Sequence, residues 1–462
     1  MFVECGNPTM AEQVFHKIIH LNEFSWTSLM EGYVRFGNAQ NALDLYEELK
    51  VGLLPSRYTF NVLLKACTKL KCLEKGRIMH FEVMKEELES DRFIASSLMG
   101  MYAKCGSLVE AHNVFEELPA QDVVSWTTLI AGYVDHGFPA EALECLEKMR
   151  SEGVHPDRVT YIYGLKACGL LRSLEKGKDL HAEVDRKGFN DASISNALQD
   201  MYVKCGSLSI AQEIFDKLPN RDVSAWNLLM AGYVEENLYE EAISSFSRMM
   251  LEGVSPDATS FVCILKACAK TGSTEKGKQI HNEIESMGLL MKDSSLGTAL
   301  VDMYAKCGML AKAQEVLEKL PLRSQVSWSA LIAGYAQQGQ GKKALQCFKQ
   351  MQNEGFFPNA VTILSVLSAC SHSGLLDEAQ MVFGDMTKKY GISPTLEHHT
   401  CMVLVFGCAG EFDKATSVIQ VMPVLSDTAV WLALLGSCRK WGNVELGTLA
   451  FDQTLQLEKT CG

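Results

Sequence analysis

Apolar residues in this chain recur at helical spacing in short blocks, each closed by glycine or proline. In the stretch 123–157, Trp126, Leu129, Ile130 and Tyr133 fall at i, i+3, i+4 and i+7 and draw one apolar stripe. Gly137 ends that block. Ala142, Cys145, Leu146 and Met149 draw a second stripe, and Gly153 with Pro156 closes the stretch. The same layout fits Ala111, Val114, Phe115 and Leu118, ended by Pro119. The pattern predicts one helical hairpin per stretch, with each hairpin amphipathic on both helices.

The blocks repeat in sequence as well as in pattern. Residues 101–106 read Met-Tyr-Ala-Lys-Cys-Gly, a string that returns at 303–308 and, with Val for Ala, at 201–206; a worn copy occupies 1–6. Lys-Ala-Cys stands at 65–67, 166–168 and 266–268, each followed by a Glu-Lys-Gly triplet that starts at Glu74, Glu175 or Glu275. Trp26, Trp126, Trp226 and Trp328, spaced 100, 100 and 102 residues apart, each precede a Gly-Tyr pair that ends at Tyr33, Tyr133, Tyr233 or Tyr335. The unit boundaries are 1–22 (a unit lacking its first helix), 23–56, 57–91, 92–122, 123–157, 158–191, 192–222, 223–257, 258–293, 294–324, 325–359, 360–395 and 396–427, with a further hairpin-like segment at 428–462.

Proline placement tests this division. Pro55, Pro119, Pro156, Pro219, Pro256, Pro321, Pro358, Pro394 and Pro423 lie at unit ends. Pro8 and Pro139 sit two residues after a mid-unit glycine, in the first turn of a second helix, where a missing N–H costs nothing. One hairpin cannot bury both of its stripes, so the hairpins must stack into an α-solenoid. The 462 residues, enough for about three ordinary domains, therefore form a single array.

Composition narrows the function. Lys and Arg number 43 against 56 Asp and Glu, a net charge of -13 that argues against a polybasic coat for DNA or anionic lipid. A groove that is basic only locally is still compatible with it. The longest uncharged run, 355–376, contains Pro358, Asn359 and His372 and is a poor membrane span. No secretory or transit pattern is read at Met1, which falls inside the worn repeat; the half-hairpin there predicts a natural start further upstream.

Candidate chemistry reduces to repeat consensus. The triplets His80-Phe-Glu82, His181-Ala-Glu183 and His281-Asn-Glu283 match half of a zinc deaminase signature, but no Cys-x-x-Cys accompanies them. Of the 16 cysteines, Cys5, Cys105, Cys205 and Cys307 precede the mid-unit glycine, and Cys67, Cys168, Cys268 and Cys370 recur in first helices. These eight read as small packing residues. No nucleophile elbow or phosphate-cradling glycine loop is present. The sequence predicts no enzyme, no cofactor and no metal site.

The string Val-Val-Ser-Trp-Thr-Thr-Leu-Ile-Ala-Gly-Tyr at 123–133, with Ala142, Met149, Gly153, Pro156 and Asp157, resembles the pentatricopeptide repeat. The resemblance implies an all-α, right-handed α-solenoid of stacked helical hairpins. The alternating unit lengths are similar to the plant organellar subclass built from P, L and S repeats. The segment 428–461, with Val430, Trp431, Ala433 to Leu435 and Gly442 to Gly447, resembles the first E-type extension of that subclass. The unit 396–427 departs from the pattern, with Leu404 and Cys408 where the family usually carries Asp and Arg.

Such arrays read single-stranded RNA one base per repeat with two or three side chains. By the resemblance, a repeat's fifth and last residues choose the base. The candidate base-reading pairs are Thr27 and Ser56, Asn61 and Asp91, Ser96 and Asp122, Thr127 and Asp157, Asn196 and Asp222, Asn227 and Asp257, Thr298 and Ser324, and Ser329 and Asn359. Ile162, Val262 and Leu364 occupy the fifth position in other units and cannot bond a base edge. The family's rule gives a target of A-U-G-G-n-U-U-n-A-A-n. Helix capping is the plainer role open to the same polar residues. Arg35, Lys69, Lys104, Lys204, Lys270 and Lys306 all hold the thirteenth position and are candidate phosphate contacts, with dipole complementation as their plainer role. Asp135 and Glu235 stand at that position in two other units.

The resemblance further implies an RNA-binding adaptor of a mitochondrion or chloroplast that directs C-to-U editing, with a deaminase or other editing factor recruited in trans through 428–461. Neither a membrane nor DNA is expected as a partner. The alternatives are an organellar splicing, stability or translation factor, and a tetratricopeptide-like protein scaffold.

Overall fold

In the computed structural model, residues 15, 22–49, 54–89, 91–422 and 428–461 are described. All but two residues of the predicted half-hairpin at 1–22 lie outside them. The described residues are helical hairpins joined by short turns, with no strand among them. The fold class is an all-α solenoid. Two compact units divide the chain, Met1–Arg221 and Asp222–Gly462.

In each unit, a repeat's first helix packs on its own second helix and on the first helix of the next repeat. The repeat 123–157 shows how. Asp122 caps Val123–Asp135, Gly137 turns the chain at φ 81°, and Pro139 opens Pro139–Ser151. Trp126, Leu129, Ile130, Ala142, Leu146 and Met149 are buried between the helices and against the neighbouring repeats. The Trp126 ring meets Phe115 of the preceding repeat edge-on, with centroids 4.5 Å apart.

The repeated strings are stacking contacts. A Cβ on Gly132 would lie 2.8 Å from the Ala103 Cβ of the preceding repeat, and one on Gly334 would lie 2.7 Å from that of Ala305. At these two positions the Gly-Tyr pair marks close approach of first helices. The glycines of two Glu-Lys-Gly triplets, Gly177 and Gly277, face the Met201 and Met303 sulfurs in the same way. The thiols of Cys105, Cys205 and Cys307 point at the carbonyls of Cys67, Cys168 and Cys268, 4.0, 3.9 and 3.6 Å away. Burial pushes the Cys67 and Cys168 thiols up to about 12, so these sulfurs remain protonated packing groups.

The His-x-Glu triplets have an equally structural explanation. Each histidine's Nδ1 meets the tyrosine of the following Met-Tyr string: His80 with Tyr102 at 2.8 Å, and His181 with Tyr202 and His281 with Tyr304 at 2.9 Å. Burial, opposed by nearby carboxylates, holds the pKa of His80 and His281 below the usual 6.5. The folded state therefore binds fewer protons than the unfolded chain just below pH 6.5, and the stability from these neutral histidines is lost as pH falls toward their folded values. Thermal unfolding at pH 5.5 is expected below that at pH 7.5, with a smaller drop in His281→Gln; equal drops would remove His281 from the effect.

In 428–461, the helices Thr428–Trp441 and Val444–Cys461 form one more hairpin, packed on Leu396–Ala409 through Val430, Leu434 and Cys438. Among the described residues, no helix is long and apolar enough to cross a membrane.

Candidate nucleic-acid interface

The predicted last residues all sit at one structural position. Ser56, Asp91, Asp122, Asp157, Asp222, Asp257, Ser324 and Asn359 are extended N-caps of the next repeat's first helix. Capping is thus their local role. It leaves valence over, because a cap uses one oxygen. Asp157 Oδ1 accepts from the Thr160 N–H at 2.8 Å and the Thr160 hydroxyl at 2.7 Å, while its Oδ2 has no bond among the described residues. Asp122, Asp157, Asp222 and Asp257 are exposed.

The predicted fifth residues lie one turn into the first helices; Asn61 is buried and the others are half-buried. Thr27, Thr127 and Ser329 each meet a threonine hydroxyl of the following helix: Thr59 at 2.9 Å, Thr160 at 2.7 Å and Thr362 at 2.6 Å. Asn227 Nδ2 donates to Asp257 Oδ1 at 3.0 Å, and its Oδ1 accepts from the Ser260 hydroxyl at 2.6 Å. Asn61 Oδ1 accepts from Ser97 at 2.7 Å. Thr298 approaches Ser324 at 3.4 Å, whereas among the described residues Ser96 bonds only its own helix, through Arg92 O at 2.8 Å. Asn196 Oδ1 is buried with no hydrogen-bond partner among the described residues.

Electrostatics keep the aspartates as acceptors. Burial alone would raise the Asp257 pKa, but the Ser260 N–H, Asn227 and the Ser260 hydroxyl together hold it below its ordinary value. Arg57 reaches Asp91 Oδ2 at 3.4 Å, so the acceptor capacity of Asp91 is partly spent.

The six predicted phosphate residues divide. Arg35, Lys104 and Lys270 are exposed at helix ends with no ion pair among the described residues. Lys69 donates to Val34 O at 2.6 Å, completing the C-terminus of the preceding first helix. Lys204 and Lys306 each pair with an aspartate one turn back, Asp200 and Asp302, at 2.7 Å. Three free cations and three engaged ones make a weaker line than the sequence suggests.

Two features escaped the sequence reading. The second position of several first helices carries an exposed apolar side chain: Phe24, Tyr58, Phe93, Val124, Val326 and Val361. An apolar residue there, off the buried stripe, was the signal available. Tyr58 and Phe93, on successive repeats, have ring centroids 6.1 Å apart. The other missed feature is the set of buried hydroxyls at the third position, of which Thr160, Ser260 and Thr362 each bond both the fifth and the last residue of the preceding repeat.

Models of the PPR repeat family match residues 21–69, 121–169, 221–270 and 323–372; a PPR repeat model matches 93–123, 259–289 and 298–323, and a pentatricopeptide repeat domain model matches 349–407. A mitochondrial pentatricopeptide repeat-containing protein of Arabidopsis thaliana is 34% identical, over 99% of this chain and 67% of its own length. The chain belongs to the pentatricopeptide repeat family. A chloroplastic pentatricopeptide repeat-containing protein of the same plant is 36% identical over 97% of this chain and 65% of its own length. A third Arabidopsis pentatricopeptide repeat-containing protein, also 36% identical, is spanned over 62% of its length. The chain thus spans about two thirds of these relatives. The pentatricopeptide repeat protein PPR10, crystallised in complex with an 18-nt psaJ RNA element, shares the fold, with TM-score 0.67 and 18% identity over 98% of this chain and 71% of that one.

Proposed function

We propose that this pentatricopeptide repeat chain reads single-stranded RNA in sequence, in a mitochondrion or chloroplast. The observation that carries the reading is the recurring pair of polar groups, one from a repeat's fifth residue and one from its last. At Thr127 with Asp157, Asn227 with Asp257 and Ser329 with Asn359, the pair is held by internal hydrogen bonds with donor or acceptor capacity left over. A protein core has no use for such a pair at every P-type junction. The exposed apolar residues at the second position suit the faces of unstacked bases, and Arg35, Lys104 and Lys270 can meet phosphates. The RNA-bound relative by fold and the organellar names of two relatives support the same assignment.

The finer reading is selection of sites for C-to-U editing, with a deaminase or editing factor docking on the hairpin at 428–461. It rests on the likeness of this segment to the E-type extension.

The test is selection from a random single-stranded RNA pool with the purified chain. Enrichment of A-U-G-G-n-U-U-n-A-A-n, or of a sequence sharing its G-G and U-U steps, is the expected result. A pool that stays random would overturn RNA reading and favour a protein scaffold.

A further inference from the structure

The third residue of the repeat that follows each of four pairs is a hydroxyl: Thr59, Thr160, Ser260 or Thr362. All four are fully buried, at 0% exposure. A buried hydroxyl has one proton to give, and where that proton goes decides what its neighbours present. This argument rests on the reading of the pairs as base contacts.

At Thr160 the bonding is determined. The Asp157 carboxylate can only accept, so Thr160 donates to Asp157 Oδ1 at 2.7 Å. The contact of Thr160 with Thr127, 2.7 Å long, then needs Thr127 as its donor. The Thr127 proton is consumed inside the protein, and the lone pairs left to it accept. Thr127 and Asp157 thus offer two acceptors, which match the N1–H and N2–H donors of guanine.

The other junctions set different polarities by the same logic. Asn227 must turn Nδ2 to the Asp257 carboxylate, 3.0 Å away, so the single Ser260 proton points chiefly at Asn227 Oδ1, 2.6 Å away, with Asp257 Oδ1 the longer contact at 3.0 Å. The second hydrogen of Nδ2 stays available. A donor beside the Asp257 acceptor matches a carbonyl and N3–H of uracil. At the third junction, the Thr362 N–H at 2.8 Å fixes Asn359 Oδ1 inward, which turns Nδ2 out as a donor. The Ser329 proton goes to Thr362 at 2.6 Å or to Gln325 O at 2.8 Å, and either leaves an acceptor. Acceptor beside donor matches N6–H and N1 of adenine. At the fourth, Thr59 donates to Glu23 Oε1 at 2.8 Å, and the Ser56 hydroxyl, which accepts from the Tyr58 N–H at 3.2 Å, also bonds the Glu23 carboxylate.

We propose that the buried hydroxyl at the third position of the following repeat is a positioning residue that sets which groups donate and which accept, and thereby the base selected. Two acceptors admit guanine, a donor beside an acceptor admits uracil or guanine, and an acceptor beside a donor admits adenine or cytosine, so the directions at 123–157, 223–257 and 325–359 are compatible with the G, U and A that the family rule assigns.

The decisive variant is Thr160→Val, which keeps shape and removes the hydroxyl. Dissociation constants are measured for four RNAs of the sequence A-U-G-G-n-U-U-n-A-A-n that differ only at the nucleotide assigned to 123–157. Discrimination for G there is expected to fall about tenfold, with discrimination at the 223–257 nucleotide unchanged and Thr160→Ser restoring the wild-type ratio. Ser260→Ala is the parallel variant in the other unit, expected to lower the preference for U at its own nucleotide alone. A Thr160→Val protein with native circular dichroism and G discrimination within twofold of wild type overturns the proposal. Failure of both variants to fold also counts against it, since the hydroxyls would then be structural. Thr127→Asn separates the two levels: if it moves preference from G to U while Thr160→Val changes nothing, base reading stands and the positioning role falls. If Thr127→Asn changes nothing, the pair reading itself is wrong.

Discussion

Replacing Trp126 by alanine is expected to lower stability by about 3–5 kcal/mol, the range for deleting a large buried aromatic. The indole is fully buried, edge-on to Phe115 across a repeat junction. Its removal opens a cavity where two hairpins stack. In a one-dimensional array each repeat leans on its neighbours, so the lost contact also uncouples the hairpins on either side. Urea unfolding followed by circular dichroism should show an earlier transition that broadens or splits. A loss under about 1 kcal/mol would mean that the stack closes over the gap and that the junction is not a continuous core. The Trp126 Nε1 has no hydrogen-bond partner among the described residues, whereas Trp328 Nε1 donates to Glu354 at 3.3 Å. Phenylalanine should therefore be tolerated better at 126 than at 328, since only the latter substitution breaks a bond.

Asn227→Thr is expected to move base preference at the nucleotide of repeat 223–257 from U to G. The substitution removes the Nδ2 donor that now lies 3.0 Å from Asp257. A threonine hydroxyl there would give its proton inward, as Thr127 does at the equivalent junction, leaving two acceptors. A well-formed pair of base contacts discriminates by about 1–3 kcal/mol, so the ratio of affinities for U and G should change by about 5- to 150-fold. Fluorescence anisotropy with two RNAs that differ at that nucleotide measures it. An unchanged ratio would remove the register in which fifth and last residues are paired.

Much of the fold is legible in the sequence because period and punctuation agree. The stripe at Trp126, Leu129 and Ile130, the break at Gly137 and the proline at 139 suffice to place both helices of that hairpin. Contacts between repeats are less legible. Why glycine recurs before each tyrosine follows from the approach of Gly132 to Ala103 and of Gly334 to Ala305, which no helical period encodes. The candidate site divides the same way. Fifth and last residues stand out because they are polar in unit after unit. Thr160 and Ser260 do not, since a small hydroxyl near a helix start looks like an ordinary capping residue. The carboxylates beside Lys204 and Lys306 were readable one turn back, but comparison along the array overlooks partners within a single helix.

The last residue of each repeat caps the next helix, and that has a practical consequence for anyone recombining these units. The reading of one nucleotide straddles the border between repeats, so a cassette cut between Asp157 and Arg158 parts Asp157 and Thr127 from Thr160. A graft meant to carry guanine preference to another scaffold has to extend through Arg158–Leu170 and be cut at the following turn, near Arg172.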